Sequence, residues 1–269
     1  MYQNHLLADK IALVTGGRSG IGYAIAKQFL QLGATVIIAS RKAKPLAEAA
    51  KELSEFGNCD HHPCDIRKME EVSDLATYIK ENHGQLDILI NNAGGQFPSP
   101  AEYISPNGWA AVINNNLNGT FYVSQQMAKT FFIPQKSGII VNIIANMFRG
   151  FPGMAHTGAA RAGVENLTKT LALEWSQYNI RVNAIAPGTI ESSGLDTYPQ
   201  QVQDFFEEGK KDNPLRRFGT VEEVSNAVTF FASPLASYIN GTTLYVDGAE
   251  HLGADRMGLF KVMQKMINQ

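Results

Sequence analysis

Short apolar runs alternate with longer amphipathic stretches along most of the chain. IALVTG (11–16), TVIIAS (35–40), HPCDI (62–66), LDILINNAG (86–94), GIIVNII (138–144), IRVNAIAP (180–187) and TLYVDG (243–248) read as strands. Between them, GIGYAIAKQFLQLGA (20–34, stopping at Gly33), PLAEAAKELSEFG (45–57), MEEVSDLATYIKENHG (69–84) and a long stretch ending in LTKTLALEW (167–175) read as helices. The strand runs are apolar at successive positions rather than at every second one. That pattern predicts strands buried on both faces, hence a parallel sheet covered by helices. Right-handed crossovers make such a sheet doubly wound. The expected fold class is α/β, in one domain over residues 1–269.

The rhythm breaks at residues 188–220, where GTIESSGLDTYPQQVQDFFEEGKKDNPLRRFGT is rich in Gly, Ser, Pro and charge. This segment is expected to form a partly helical lid over a substrate. The tail LFKVMQKMINQ (259–269) has helical spacing and is expected to pack on the body or on another subunit.

Composition narrows the classes of partner. The 269 residues carry a net charge of −2, with no basic stripe, so no nucleic-acid partner is expected. No run approaches the ~18 apolar residues of a membrane helix, and the first residues lack the pattern of a secretory signal. Two cysteines, Cys59 and Cys64, suit a reducing compartment, and the expected location is the cytoplasm. They sit in CDHHPC (59–64), where four candidate ligands in six residues cannot readily surround an ion, so no metal is expected.

The loop TGGRSGIG (Thr15 to Gly22) lies between the first strand and the first helix. Glycines there let the backbone approach a pyrophosphate, and the helix N-terminus faces it with partial positive charge. The candidate contacts are Gly16, Arg18, Ser19, Gly20, Ile21 and Gly22. At the end of the second strand, a carboxylate would bind both ribose hydroxyls of NAD. This chain has Ser40, Arg41 and Lys42 instead. A guanidinium fork suits a 2′-phosphate, which favours NADP(H). Asp65 and Ile66 close the third run near an adenine, and Asn92, Ala93 and Gly94 let the cofactor pass close to the fourth.

Together these motifs resemble the short-chain dehydrogenase/reductase family, from TGGRSGIG through NNAG (91–94) and NNLNGTF (115–121) to NAIAPG (183–188) and YVDG (245–248). The resemblance implies a single Rossmann-like domain with a seven-stranded sheet, a homotetramer, and a nicotinamide held near Pro187, Gly188 and Ile190. It also implies a catalytic Asn, Ser, Tyr and Lys. Asn116 fits the first position. The others fall on Ile144, Thr157 and Arg161, so three of the four depart from the family pattern. Tyr23 and Lys27 have the Tyr–Lys spacing but lie on the helix after the glycine loop, and are expected to be an ordinary surface pair.

A phenol made acidic by a lysine is the family's proton source for ketone reduction. Thr157 and Ile144 cannot replace it, and Arg161 stays charged. Reducing a conjugated alkene asks only that negative charge on a thioester oxygen meet hydrogen-bond donors. The stretches NNAGGQFPSPAEYISPNGW (91–109) and GFPGMAHTGAARAGVENLTKTLALEW (150–175) are similar to the peroxisomal trans-2-enoyl-CoA and 2,4-dienoyl-CoA reductases. This narrower resemblance implies an acyl-CoA or acyl-carrier thioester substrate and allows a peroxisomal location, although the chain ends Ile-Asn-Gln. The catalytic set is then Asn116, Thr157 and Arg161, the last also facing the nicotinamide ribose. The phenols of those branches fall on Asn146 and Glu165, leaving the proton source open. His156 is expected to be structural, turned away from Thr157. Two alternatives stay open: a catalytically silent NADP-binding protein, and a carbonyl reductase using Tyr103 or Tyr198 as its acid.

Overall fold

In the computed structural model, residues 5–192, 200–211 and 213–253 are described, together with Met263 and Met266. The strands are β1 (Ile11–Thr15), β2 (Thr35–Ser40), β3 (Cys59–Pro63), β4 (Ile88–Asn91), β5 (Gly138–Ile143), β6 (Ile180–Pro187), β7 (Ile190–Glu191), β8 (Gly219–Thr220) and β9 (Thr243–Val246). Seven of them form one parallel sheet in the order β3-β2-β1-β4-β5-β6-β9. The chain reverses direction of travel between β1 and β4, which opens a crevice at their carboxyl ends.

Both faces of the sheet are apolar, as the uninterrupted strand runs require. Ala12, Val14, Val36, Ile38, Ile88 and Ile90 pack on one side with α1 (Gly20–Gln31), α2 (Ala43–Leu53) and α9 (Val221–Ala232). Leu13, Ile37, Leu89 and Ile140 pack on the other with α3 (Met69–His83), α5 (Gly119–Met127) and the end of α7 (Ala155–Trp175). Each fully buried Leu, Ile or Val contributes about 1.5–3 kcal/mol, so the doubly covered sheet is the stable skeleton of the domain. In α3 the buried Val72, Leu75, Ala76 and Ile79 follow helical spacing, and the helix stops at Gly84, whose φ of 75° ends it in the left-handed conformation.

The third strand differs from its expected span. It runs over Cys59–Pro63, paired from Val36↔Cys59 to Ser40↔Pro63, and Cys64, Asp65 and Ile66 follow it as a loop. It is an edge strand and none of its residues is fully buried, so its apolar signal is weak. The second helix likewise spans Ala43–Leu53 rather than running to Gly57.

The region before β5 carries a feature that periodicity did not signal. Helix α4 (Pro106–Ile113), capped by the Ser105 hydroxyl accepting from the Gly108 N–H, widens into a π-turn over Asn114–Asn118 before α5. A second π-stretch, Ala128–Phe132, leads into the short turn α6 (Ile133–Gln135). π-turns cost helix stability and concentrate at functional positions; this one carries Asn116.

The segment 188–220 is tied at its base. β7 pairs with β8 in a separate two-stranded sheet, Ile190 to Gly219 and Glu191 to Thr220, which brings the two ends of the insertion together. Helix α8 (Gln200–Gly209) lies within it. Within the segment expected to form a lid, residues 193–199, with Tyr198, and residue 212 lie outside the described residues, as does nearly all of the tail 259–269.

Candidate active site

The crevice at the β1/β4 switch holds a cavity of about 400 Å³. Its floor is the glycine loop. Gly16 has φ +67°, and a Cβ on Gly22 would lie 2.4 Å from both the Gly16 carbonyl oxygen and Asn92 Nδ2. The loop is pinned from β4: Asn92 Nδ2 donates to the carbonyls of Thr15 and Gly16, and the Thr15 hydroxyl accepts the N–H groups of Asn92 and Ala93. Ser19 stands at the N-cap of α1 without a capping hydrogen bond, so the first N–H groups of that helix remain for a ligand.

At the far end, Arg18, Ser40, Arg41 and Lys42 line the same cavity, and no carboxylate does among the described residues. The Ser40 hydroxyl is buried there without a hydrogen-bond partner. A buried hydroxyl with no partner is costly, and a ligand oxygen would satisfy it. The cradle that only glycine fits, the uncapped helix end and the orphaned hydroxyl all suit a dinucleotide. Asp65 is not on this wall. Its carboxylate is held below the usual range by Arg67, which donates from Nε to Oδ1 at 2.8 Å and from Nη2 to Oδ2 at 2.5 Å. The residues on either side of it, Cys64 and Ile66, line the cavity.

A second cavity of about 370 Å³ continues inward, sharing Ile21, Asn92 and Gly94 with the first. Ile143, Ile144, Ala145, Phe151, Met154, Pro187 and Ile190 make it largely apolar. Arg161 projects into it from α7. This residue is buried, and burial pushes its guanidinium down to about 10. Its Nη1 donates to the Ile143 carbonyl at 3.0 Å, and no carboxylate pairs with it among the described residues. A charge without a counter-ion in such a place is expensive, and persists where it has another use. A Cβ on Gly94 would sit 2.4 Å from Arg161 Nη2 and 2.7 Å from Asn116 Oδ1, so the glycine brings these two side chains together. Asn116 is fully buried, its Nδ2 donating to Gly95 O at 2.7 Å and Val112 O at 2.9 Å. It shapes the wall from behind and does not line the cavity.

Thr157 does not stand where the spacing argument put it. It is fully buried and lines neither cavity; its backbone N–H donates to His156 Nδ1 at 2.8 Å and its hydroxyl lies 3.2 Å from the same nitrogen. The first turn of α7 is packed under Phe97, whose ring meets His156 edge-on at 4.5 Å, so the Thr157 hydroxyl is turned to the imidazole. His156 is thus beside Thr157, contrary to the expectation that it turns away. Burial lowers its pKa and keeps the ring neutral.

Other expectations resolve in the same way. Ile144 lines the inner cavity where the family carries a hydroxyl, and Asn146 stands beside it, its N–H donating to Pro187 O. Glu165 is paired with Lys169 at 2.9 Å. The Tyr23 hydroxyl donates to Glu52, and Lys27 lies over the Phe56 ring, so that pair fastens α1 to its neighbour. Tyr103 is 77% exposed and lines neither cavity. One functional candidate was missed by sequence reasoning: Glu250, on the turn after β9, lines the inner cavity, and burial raises its pKa. The only sequence signal was an acidic residue three positions beyond Asp247 in YVDGAE.

A cleft for a dinucleotide, opening onto an apolar cavity whose one buried cation among the described residues is Arg161, defines an oxidoreductase that uses a nicotinamide cofactor. Comparison with known proteins agrees. The family model described as enoyl-(acyl carrier protein) reductase matches residues 16–250. The chain belongs to this short-chain dehydrogenase/reductase family, and the silent-protein alternative is set aside. It is 42% identical over 249 residues to a probable 2,4-dienoyl-CoA reductase [(2E)-enoyl-CoA-producing] of Bacillus subtilis, covering 91% of this chain and 98% of that one. It is 39% identical over 252 residues to the peroxisomal 2,4-dienoyl-CoA reductase of Mus musculus, covering 90% and 84%. Among solved structures, the citronellol catabolism dehydrogenase of Pseudomonas aeruginosa superposes with a TM-score of 0.84 at 39% identity, covering 93% and 98%. Levodione reductase gives a TM-score of 0.86 at 28% identity, covering 92% and 99%. No helix among the described residues is long and apolar enough to cross a membrane.

Proposed function

We propose that the chain is an NADPH-dependent reductase of 2-enoyl or 2,4-dienoyl fatty acyl thioesters. The observation that carries this reading is Arg161: a buried guanidinium without a carboxylate partner, on the wall of an apolar cavity where the family's hydroxyl position is Ile144. The names of the two dienoyl-CoA reductases support the substrate class.

Arg18, Arg41, Lys42 and the Ser40 hydroxyl would hold a 2′-phosphate, and the glycine loop with the start of α1 would hold the pyrophosphate. Bound NADPH supplies the hydride. The chain's own part is electrostatic. Hydride arriving at the conjugated alkene drives negative charge onto the thioester oxygen, and Arg161 and the Asn146 amide are donors on the cavity wall placed to meet it. Ile143, Ile144, Phe151 and Met154 exclude water, which strengthens that interaction. A lid over residues 188–220 and a homotetramer that covers exposed Leu173, Leu235 and Tyr238 belong to the same reading.

The test is a substrate panel. Purified protein is mixed with NADPH or NADH and with 2-enoyl-CoA, 2,4-dienoyl-CoA and ketone substrates, following dihydronicotinamide absorbance. Oxidation of NADPH by a conjugated thioester supports the proposal. Turnover of ketones alone contradicts it.

A further inference from the structure

Reduction of an alkene needs a proton as well as a hydride, and the family's phenol is missing from this cavity. Among the described residues that line it, two carry ionisable side chains, Arg161 and Glu250. A guanidinium keeps its proton throughout the working pH range. Glu250 is placed differently. It sits on the turn after β9, and its Oε2 accepts the Thr189 N–H at 3.2 Å. A Cβ on Gly188 would lie 2.6 Å from that same oxygen, so the carboxyl rests on the Pro187–Thr189 corner of the cavity. No other hydrogen bond reaches the Glu250 carboxyl among the described residues, which leaves Oε1 free to carry a proton.

We infer that Glu250 is the acid that completes the reduction in the reading proposed above. The step balances as follows. Hydride from the dihydronicotinamide adds to the β carbon of a 2-enoyl thioester, or to the terminal carbon of the conjugated system in a dienoyl thioester, and the nicotinamide is oxidised. The resulting enolate takes a proton from the Glu250 carboxyl at carbon, giving the product reduced by two electrons. Glu250, now a carboxylate, recovers its proton from solvent.

The surroundings favour the protonated form. Burial raises the Glu250 carboxyl first; the Thr189 N–H pulls against it, the nearby negative charge of Asp247 adds to the rise, and the net direction is upward. The Asp247 carboxylate is paired with His251, whose Nδ1 lies 2.9 Å away. The Pro187–Thr189 corner brings no ionisable side chain. Arg161, on α7, is the charge that enters the cavity from the other elements packed there, and Arg149 is engaged with the Leu252 carbonyl. A bound acyl chain excludes more water and moves the carboxyl further in the same direction.

The experiment compares wild type, Glu250→Gln and Glu250→Asp on a conjugated thioester that the wild type reduces, with kcat measured across pH and NADPH binding measured by fluorescence. Gln can still accept from the Thr189 N–H, so Glu250→Gln keeps the corner intact. The expected result is a wild-type kcat that falls as pH rises through the raised carboxyl pKa, and a loss of about 100-fold in Glu250→Gln with that limb abolished. Glu250→Asp keeps the limb, and NADPH affinity is unchanged in both variants. A Glu250→Gln enzyme with near-normal kcat and an unchanged profile overturns the inference alone. Loss of NADPH binding in that variant also overturns it, since the residue would then position the corner. A wild type inactive on every conjugated thioester overturns the proposed function, and this inference with it.

Discussion

Arg161 donates to the Ile143 carbonyl at 3.0 Å from inside the apolar cavity, and that carbonyl, not a carboxylate, is what steadies its charge. The backbone dipole fixes the guanidinium without cancelling it. The positive charge is left for whatever negative charge the cavity receives.

Arg161→Met tests this arrangement from both sides. Removing a buried, unpaired charge relieves a desolvation penalty, so the free variant is expected to melt no lower than the wild type. Turnover should fall by about 10²–10³-fold, the usual loss of one oxyanion donor. Calorimetry and steady-state kinetics measure the two halves separately. Arg161→Lys restores the family's residue and should keep more activity than the methionine variant.

Gly94→Ala should act through the same side chain. The new methyl would meet Arg161 Nη2 at 2.4 Å and Asn116 Oδ1 at 2.7 Å, and both are held by other bonds. The guanidinium must shift, so kcat is expected to fall at least tenfold with the fold retained. Circular dichroism alongside kinetics checks both.

Arg41→Asp should change the cofactor. Arg41 lines the cleft beside the orphaned Ser40 hydroxyl, and an aspartate would repel a 2′-phosphate while accepting ribose hydroxyls. Loss of a charge-assisted contact is worth about 1.5–3 kcal/mol, so KM for NADPH should rise roughly 10- to 100-fold. KM for NADH should stay level or fall. Equal effects on both cofactors would remove the 2′-phosphate assignment.

The start of α9 carries a pH-dependent contact. Arg217 holds Glu223 down to about 2, and Glu223 closes a capping box with Thr220 at the start of α9. A carboxyl with a depressed folded pKa stabilises the fold above its ordinary value of 4.5 and loses that contribution as pH falls toward about 2. The pair is half-exposed, so the effect is modest. Glu223→Gln should therefore lower Tm at neutral pH, and the gap to wild type should close on acidification. A gap that widens in acid would contradict the assignment.

Much of the fold was legible because its strands are buried on both faces and so read as unbroken apolar runs. The edge strand β3 was misplaced because its residues are half-exposed and carry two histidines and an aspartate. The π-turn at Asn114–Asn118, which carries the buried Asn116, leaves no trace in the apolar periodicity. At the site, the chemistry of Ser40, Arg41 and Arg161 was readable from residue type and motif. Which side chains face the cavity was not. Thr157 shares a helical turn with Arg161, yet packing against His156 and Phe97 turns it aside. Glu250 lies two residues past the YVDG motif, but nothing in that motif marks an acid for the cavity, which Glu250 reaches through the placement of β9 beside β6.

The most direct measurement is single-turnover reduction of a 2,4-dienoyl-CoA and a 2-enoyl-CoA by wild type and Arg161→Met, each preloaded with NADPH. Rapid reduction of at least one conjugated thioester by the wild type, slowed about 10²–10³-fold in the variant with NADPH still bound, is the predicted result. Equal rates in the two proteins, or a wild type that reduces only ketones, would contradict the role given to the buried guanidinium.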